Sequence, residues 1–311
     1  MSDTKDILVA IPSFRRPRGL ERLLVALEKL DTDARVSILV ADNDGEKHEG
    51  HDLCQRLKRN YLWPLTSIIV PERGIAQVRN AMLTYAVDQT KAEFIAMLDD
   101  DEWPEPQWLK ELLRVQKETG AEALQGSVLF ESPTPAKDWS GNFDGLSDIR
   151  HATGPVDMLE GAGNILIART AVENMARPFF DLSFALTGGE DRDFFMRLKR
   201  QGTRFAWADE AIATTLVPAT RTNLFWALKR AYSIGNNDMR VLLKHNPSIG
   251  MLLGEGIKIT AALLLSPFLL VILGLMPNRR IEPLRKLFRN AGKLMALFGI
   301  RYNQYAVIHG E

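Results

Sequence analysis

An α/β fold with a mainly parallel central sheet flanked by helices, continued by a C-terminal helical segment that associates with membrane, is the architecture this sequence predicts. Three observations point to it. Strand and helix signals alternate through the first 98 residues, the strand signals are continuous apolar runs of the kind covered on both faces, and the chain ends in an uncharged apolar stretch followed by a basic one. At 311 residues and 46% hydrophobic content, the chain can bury one large core, or one core and a smaller appended unit.

Ile7-Leu8-Val9-Ala10-Ile11 is the first buried strand; the turn Pro12-Ser13-Phe14-Arg15-Arg16-Pro17 leads from it into a helix through Leu20, Leu23, Leu24, Leu27 and Leu30. Val36 to Ala41 repeats the strand signal, ends in Asp42-Asn43-Asp44-Gly45 and precedes a helical stretch around Leu53 and Leu57. Thr66 to Val70 gives a third strand, Ile75 to Val87 a helix, and Glu93 to Leu98 the fourth strand. That strand closes on Asp99-Asp100-Asp101-Glu102 and opens onto a proline-marked helix start, Trp103-Pro104-Glu105-Pro106. Beyond residue 120 lie a strand-like Ala121 to Glu131, a loop rich in Ser, Pro, Gly and Asp to about Asp157, and an apolar run from Met158 to Ala168.

Net charge is zero but segregated: residues 279–311 hold seven Lys or Arg against two Glu, a balance of +5 that leaves −5 for the remainder. No basic stripe interleaved with aromatics runs through the body, which argues against nucleic acid as a partner. The lone Cys54 excludes an internal disulfide framework and fits a reducing compartment, and Met1 to Ile11 carries no export signal. There is no GxGxxG after the first strand, no GxxxxGK[ST] and no HExxH, so a dinucleotide fingerprint, a P-loop and a zinc hydrolase are all unsupported.

In parallel sheets, ligands sit outside the carboxyl ends of the strands, and here those ends carry Pro12-Ser13, Asp42-Asn43-Asp44 and Asp99-Asp100-Asp101. Carboxylates crowded at one strand exit repel, and a divalent cation on a polyphosphate is one partner that offsets them. By itself the cluster fits a solvated acidic turn equally well.

Five motifs in order carry a family resemblance: Ile11-Pro12-Ser13-Phe14-Arg15-Arg16, Val40-Ala41-Asp42-Asn43-Asp44, Gly74 to Arg79-Asn80, Leu98-Asp99-Asp100-Asp101-Glu102 and Gly188-Gly189-Glu190-Asp191. Together they resemble the inverting family 2 glycosyltransferases, nearest the bacterial exopolysaccharide, succinoglycan-type branch, over residues 5 to about 240. The resemblance implies a GT-A fold, a Rossmann-like sheet with helices on both sides. Residues 1–120 would form its nucleotide-sugar-binding half, 121–245 its acceptor-binding and catalytic half, and 246–311 an apolar and basic helical tail. It further implies a nucleotide-sugar donor, expected to be a UDP-sugar, and a Mn²⁺ or Mg²⁺ ion.

Carried over residue by residue, Asp99 and Asp101 are the outer members of the DxD motif, with Asp101 the direct metal ligand and Asp99 facing the ribose or a metal-bound water. Asp100 lies between them on the donor side. Asp191 is the base that takes the acceptor proton, and Glu190 orients acceptor or base. Pro12, Ser13, Phe14, Asp42 and Arg79 line the donor pocket, although Arg79 could instead pair with Asp42 to hold two elements together. Gly163 and Asn164, in Gly161-Ala162-Gly163-Asn164, belong to the loop beside the sugar and acceptor. One departure stands out: relatives often place a histidine after the strand that follows the Glu-Asp helix, and Ala211 to Pro218 contains none.

Residues 259–276 form the uncharged run, interrupted by Pro267, at the lower limit for a bilayer core of ~30 Å. A single crossing would put Arg279, Arg280, Arg285, Lys286, Arg289 and Lys293 on the far side, so a dip-and-return or surface-lying arrangement at the cytoplasmic face of the inner membrane is expected. Ile281, Leu284, Leu287, Phe288, Ala291, Leu294, Met295 and Phe298 recur at threes and fours, which reads as an amphipathic membrane-surface helix; a hairpin completing the soluble core is the alternative. Membrane contact through residues 251–311 would suit an oligosaccharide acceptor carried on a polyprenyl diphosphate. Competing functions are a sugar-nucleotide pyrophosphorylase, whose Gly-rich phosphate loop Ser13 to Pro17 lacks, and a catalytically silent scaffold of a polysaccharide complex.

Overall fold

The computed structural model describes residues 4–132, 148–273 and 281–303. The expected loop at 133–147, the end of the apolar run past Leu273, and Arg279 and Arg280 lie outside the described residues. Strand β1 (Asp6–Ser13) is followed by α1 (Pro17–Leu27), β2 (Arg35–Asp42), α2 (Glu49–Leu57), β3 (Leu65–Ile69), α3 (Ile75–Gln89) and β4 (Phe94–Met97). These strands pair in parallel in the order β3-β2-β1-β4. Their period-two alternation sorts side chains between two layers: Ile7, Val9 and Ile11 of β1 pack with α1, whereas Leu8 and Ala10 pack with α3. Cys54 of α2 is buried, and loss of solvation pushes its thiol up to about 12, so it is an inert packing group.

Register sets the functional edge. Ser13 pairs with Asp42, and Ala10 with Met97, so β1, β2 and β4 end on one rim with their polar clusters side by side.

The second half of the sheet is mixed rather than parallel. The strands β6 (Ala123–Glu131), β8 (Ile165–Ala168) and β9 (Phe205–Leu216) extend it as β4-β8-β6-β9, with β8 antiparallel to both neighbours and β6 parallel to β9. Two short strands, β5 (Glu102–Pro104) and β7 (Gly154–Val156), pair with β9. The expected helix start at Trp103 is therefore a strand, and α4 begins only at Trp108 (Trp108–Thr119). The reason is local: Trp103 and Glu105 each precede a proline, which disfavours helical backbone, and the Glu105 N–H donates to the Ile212 carbonyl instead.

After the short α5 (Arg169–Val172), helix α6 (Glu190–Arg200) packs Phe194, Phe195 and Leu198 beneath the sheet. Then come α7 (Leu224–Lys244), α8 (Ile249–Leu273) and α9 (Glu282–Leu297). The periodicity expected of α9 is present, but its apolar face is seated on α7 rather than left for lipid. Ile281, Leu284 and Phe288 pack with Leu224 and Trp226, and Leu294 and Ala296 join Met239. Small residues allow that contact: a Cβ on Gly292 would fall 2.0 Å from the Tyr232 carbonyl oxygen, and one on Gly235 1.8 Å from that of Arg289. By contrast α8 is long and apolar enough to cross a membrane, and only Ile259 and Ser266 along it are buried.

Candidate active site

The acidic rim is held by arginines of distant elements. Asp99, Asp100, Asp101 and Glu102 leave β4 in a turn closed by the Glu102 N–H donating to the Asp99 carbonyl, while the Asp99 N–H donates to the Glu102 carboxylate at 3.0 Å. Asp100 points back into the first loop, where it accepts from the Phe14 N–H and from Arg16, both at 3.1 Å. Asp101 accepts from the same guanidinium at 2.6 Å. Asp99 accepts from Arg79 at 3.2 Å. Burial pushes the Asp100 carboxyl up to about 7 against the pull of Arg16, and lifts Asp99 and, well above its ordinary range, Glu102.

Arg79 decides the geometry. Its other branch donates to Glu190 at 2.6 Å, so the acids at the exit of β4 and those opening α6, 111 positions away from α3 in the second case, meet on one buried guanidinium. Loss of solvation pushes Glu190 up to about 7, helped by the neighbouring charge of Asp191 and opposed by Arg79. The second Glu190 oxygen is buried without a hydrogen-bond partner among the described residues. The loop Gly161 to Gly163 runs against both acid pairs: a Cβ on Gly161 would lie 3.7 Å from an Asp191 oxygen, and one on Gly163 2.7 Å from a Glu102 oxygen. Arg79 and the loop Gly161 to Gly163 thus bring Asp99, Glu102, Glu190 and Asp191 into one neighbourhood.

The donor-side residues divide. Pro12 and Ser13 end β1 in the core, with Phe14 partly exposed beyond them. The Phe14 ring is faced by Arg15 at 5.2 Å and Arg73 at 5.1 Å, which makes a cationic, aromatic lip on the rim. Asp42 does not pair with Arg79. Its carboxylate caps the neighbouring chain, accepting from the N–H groups of Asp44 at 3.0 Å and His51 at 2.8 Å. The Asn164 side chain is turned inward: it is fully buried, donating to the Ser127 and Ala211 carbonyls and accepting from the Trp108 indole at 2.5 Å, so it holds its loop to the core. Of that loop, Gly161 and Gly163 are the residues that run against the acids.

Sequence reasoning missed Arg16, Glu102 and Asn43. Arg16 was visible as the second arginine after β1, and Glu102 as the fourth acid. Asn43 ties three elements, donating to the Val70 and Glu72 carbonyls and accepting from the Gly74 N–H, a role with no local signature.

Among the described residues, no three His, Cys, Asp or Glu side chains converge as an all-protein metal cage. The donor set fits a hard cation shared with a phosphate ligand. Arg79 uses one oxygen of Asp99 and Arg16 one oxygen of Asp101, and no hydrogen bond among the described residues takes the other oxygen of either. With side chains 37% and 23% exposed, both reach solvent at the rim.

Comparison with known proteins agrees with this arrangement. The profile of "Glycosyl transferase family 2" matches residues 8–175, and that of "Glycosyl transferase family group 2" residues 94–302. The chain is 32% identical over 249 residues to the succinoglycan biosynthesis protein ExoM of Rhizobium meliloti (strain 1021), covering 78% of this chain and 76% of that one. It is 25% identical over 249 residues to chondroitin synthase of Escherichia coli, covering 69% of this chain and 35% of that longer protein. The crystal structure of GalNAc-T7 with UDP, GalNAc and Mn2+ superposes with a TM-score of 0.54 at 12% identity, over 78% of this chain and 48% of that one, a likeness of fold. With its strand order, its paired acid motifs and more than half its length matched, the chain is a member of glycosyltransferase family 2 and has the GT-A α/β fold.

Proposed function

We propose that this protein transfers a hexose, with inversion, from a UDP-sugar to a hydroxyl of a lipid-linked oligosaccharide during exopolysaccharide assembly at the cytoplasmic face of the inner membrane. The observation that carries the proposal is the meeting of Asp99 and Glu190 on Arg79, which joins the acids of the β4 exit to those of α6. The relation to a succinoglycan biosynthesis protein supports the pathway class.

In the proposed reaction the acceptor oxygen forms the new bond to the anomeric carbon as the carbon–oxygen bond to the diphosphate breaks. The electron pair leaves with the nucleoside diphosphate, and the acceptor proton goes to Asp191. Asp101, with Asp99 beside it, would hold Mn²⁺ or Mg²⁺, which supplies electrostatic stabilisation to the departing diphosphate. Asp191 suits the base role because it stands partly exposed in the first turn of α6, whereas Glu190 beneath it is buried and tethered. Phe14, with Arg15 and Arg73 about its ring, would receive the base and phosphates, with Pro12, Ser13 and Asp42 behind it. Asp100 would shape that pocket by anchoring the Phe14 N–H. Residues 1–120 would then serve the donor, 121–245 the acceptor, and 246–311 the membrane.

The test is UDP release from individual sugar nucleotides with Mn²⁺ and a membrane lipid extract as acceptor. Asp101→Ala should abolish Mn²⁺-dependent UDP binding, and Asp191→Asn should keep that binding while losing at least ~100-fold in turnover, the scale of a general base. Full activity in both variants overturns the assignment.

A further inference from the structure

The loop that presents the base helix closes on the Phe184 carbonyl, which accepts from the Thr187 and Gly188 N–H groups at 3.2 and 3.1 Å, and then runs through two glycines. Gly188 and Gly189 stand consecutively in left-handed conformation, at φ 82° and 91°, immediately before Glu190 and Asp191. Two such glycines in sequence form a joint with little intrinsic preference for one direction. Beyond those backbone bonds, side chains of α7 grip it.

Asn237, 7% exposed, donates its side-chain amide to the Thr187 carbonyl at 2.8 Å. Arg240, one turn later, donates to the Thr187 hydroxyl at 2.6 Å and to the Ser183 carbonyl at 2.9 Å, and its guanidinium lies 4.6 Å from the centre of the Phe184 ring. The Thr187 hydroxyl in turn donates to the Gly188 carbonyl at 3.1 Å, so the grip passes into the joint itself. The fit is close: a Cβ on Gly189 would stand 3.0 Å from that of Asn237. A second strut runs alongside, where Asp238 accepts from Arg192 of α6 at 2.6 Å and from Arg289 of α9 at 2.8 Å.

From this arrangement we infer that Asn237 and Arg240 are positioning residues for glycosyl transfer, clamping the Thr187-Gly188-Gly189 joint so that Asp191 faces the acceptor. Neither touches the acids at the exit of β4 in any contact among the described residues, so the clamp acts on the base and not on donor binding. The inference rests on the reading of Asp191 as the base. Its distinguishing consequence is a loss confined to turnover.

The test uses the full chain and four variants, Asn237→Ala, Arg240→Ala, Arg240→Lys and Thr187→Val. The last is nearly isosteric and removes only the hydroxyl that Arg240 grips, which keeps the test sound should an alanine variant fold poorly. Three quantities are read: amide hydrogen exchange at residues 187–193, the kcat and KM of UDP release from UDP-glucose, UDP-galactose and UDP-N-acetylglucosamine, and the affinity for UDP with Mn²⁺. Asn237→Ala, Arg240→Ala and Thr187→Val should exchange at least about tenfold faster at 187–193 with β1 to β4 unchanged. They should lose about tenfold or more in kcat and hold KM and UDP affinity within about twofold. Arg240→Lys, which keeps one donor for Thr187, should recover part of the kcat. Unchanged exchange at 187–193, loosened exchange with unchanged kcat, or a parallel fall in UDP affinity each overturns the clamp. A wild-type chain inert towards all three sugars, or an Asp191→Asn variant with full turnover, overturns the underlying reading instead, a result separable from active clamp variants.

Discussion

Arg79 is 5% exposed and Glu190 2%, so this ion pair has little water to fall back on. Removing one partner of a buried pair leaves the other desolvated and uncompensated, at a cost of roughly 3–5 kcal/mol, while replacing both by neutral groups of similar shape is close to neutral. Glu190 can escape part of that cost by keeping a proton, because its carboxyl already titrates at about 7. A carboxyl whose folded value lies above its unfolded one favours the fold at low pH, and that contribution is lost as pH rises through the folded value. Arg79→Met should therefore destabilise by about 1–2 kcal/mol at pH 5.5 and by about 3 kcal/mol at pH 8.5. Arg79→Met with Glu190→Gln should recover most of the loss at the higher pH. Urea unfolding of the four members of the cycle at both pH values measures this, and a loss independent of pH would show that Glu190 is not what Arg79 compensates.

At the scale of elements, legibility followed the range of the interactions that make each one. The strands β1, β2 and β4 declare themselves because residues such as Ile7 to Ile11 are buried on both faces, and the rim follows from where those runs stop. The position of Asp99 to Glu102 was legible for the same reason, whereas Glu190-Asp191, at the start of α6, was legible only through the family motif. What offsets them was not: Arg16 reaches Asp101 across 85 positions and Arg79 reaches Glu190 across 111, distances that no local pattern encodes. Nor could periodicity say what would cover the apolar stripe of α9, since lipid and α7 ask for the same spacing. The small residues settle it, because Gly235 and Gly292 bring two backbones together where larger side chains would hold them apart. Gly292→Ala should drive a methyl into the Tyr232 carbonyl and cost about 1–3 kcal/mol, as overpacking does. It should also shift the Trp226 emission, since that ring packs among residues of α9. A variant as stable as the parent, with unchanged emission, would mean the helices part without loss.

For the whole molecule, the proposed division of labour puts chemistry on the sheet and membrane contact on α8. Helix α8 exposes Leu264 at 64%, Phe268 at 69% and Val271 at 78%, a continuous apolar surface that the rest of the described chain leaves uncovered. Its first half is tied to α9, where Glu255 accepts from Lys293 at 2.7 Å. Glu255 and Lys258 place charge in the first half of α8, and Arg285, Lys286, Arg289 and Lys293 follow it, an arrangement suited to lying in, or dipping into, one leaflet rather than to a single crossing. Truncation at residue 250 is a poor test of this, since it would also strip α9 from α7. Point charges avoid the problem. Leu264→Lys, Phe268→Lys and Val271→Lys touch side chains directed away from the body, so the unfolding temperature of the sheet should move by no more than about 2 °C, as for exposed substitutions generally. Each lysine opposes burial in lipid by roughly 1–3 kcal/mol depending on depth, and the three together should lower co-sedimentation with anionic vesicles at least ~100-fold. Undiminished co-sedimentation of the triple variant would assign membrane contact to some other surface.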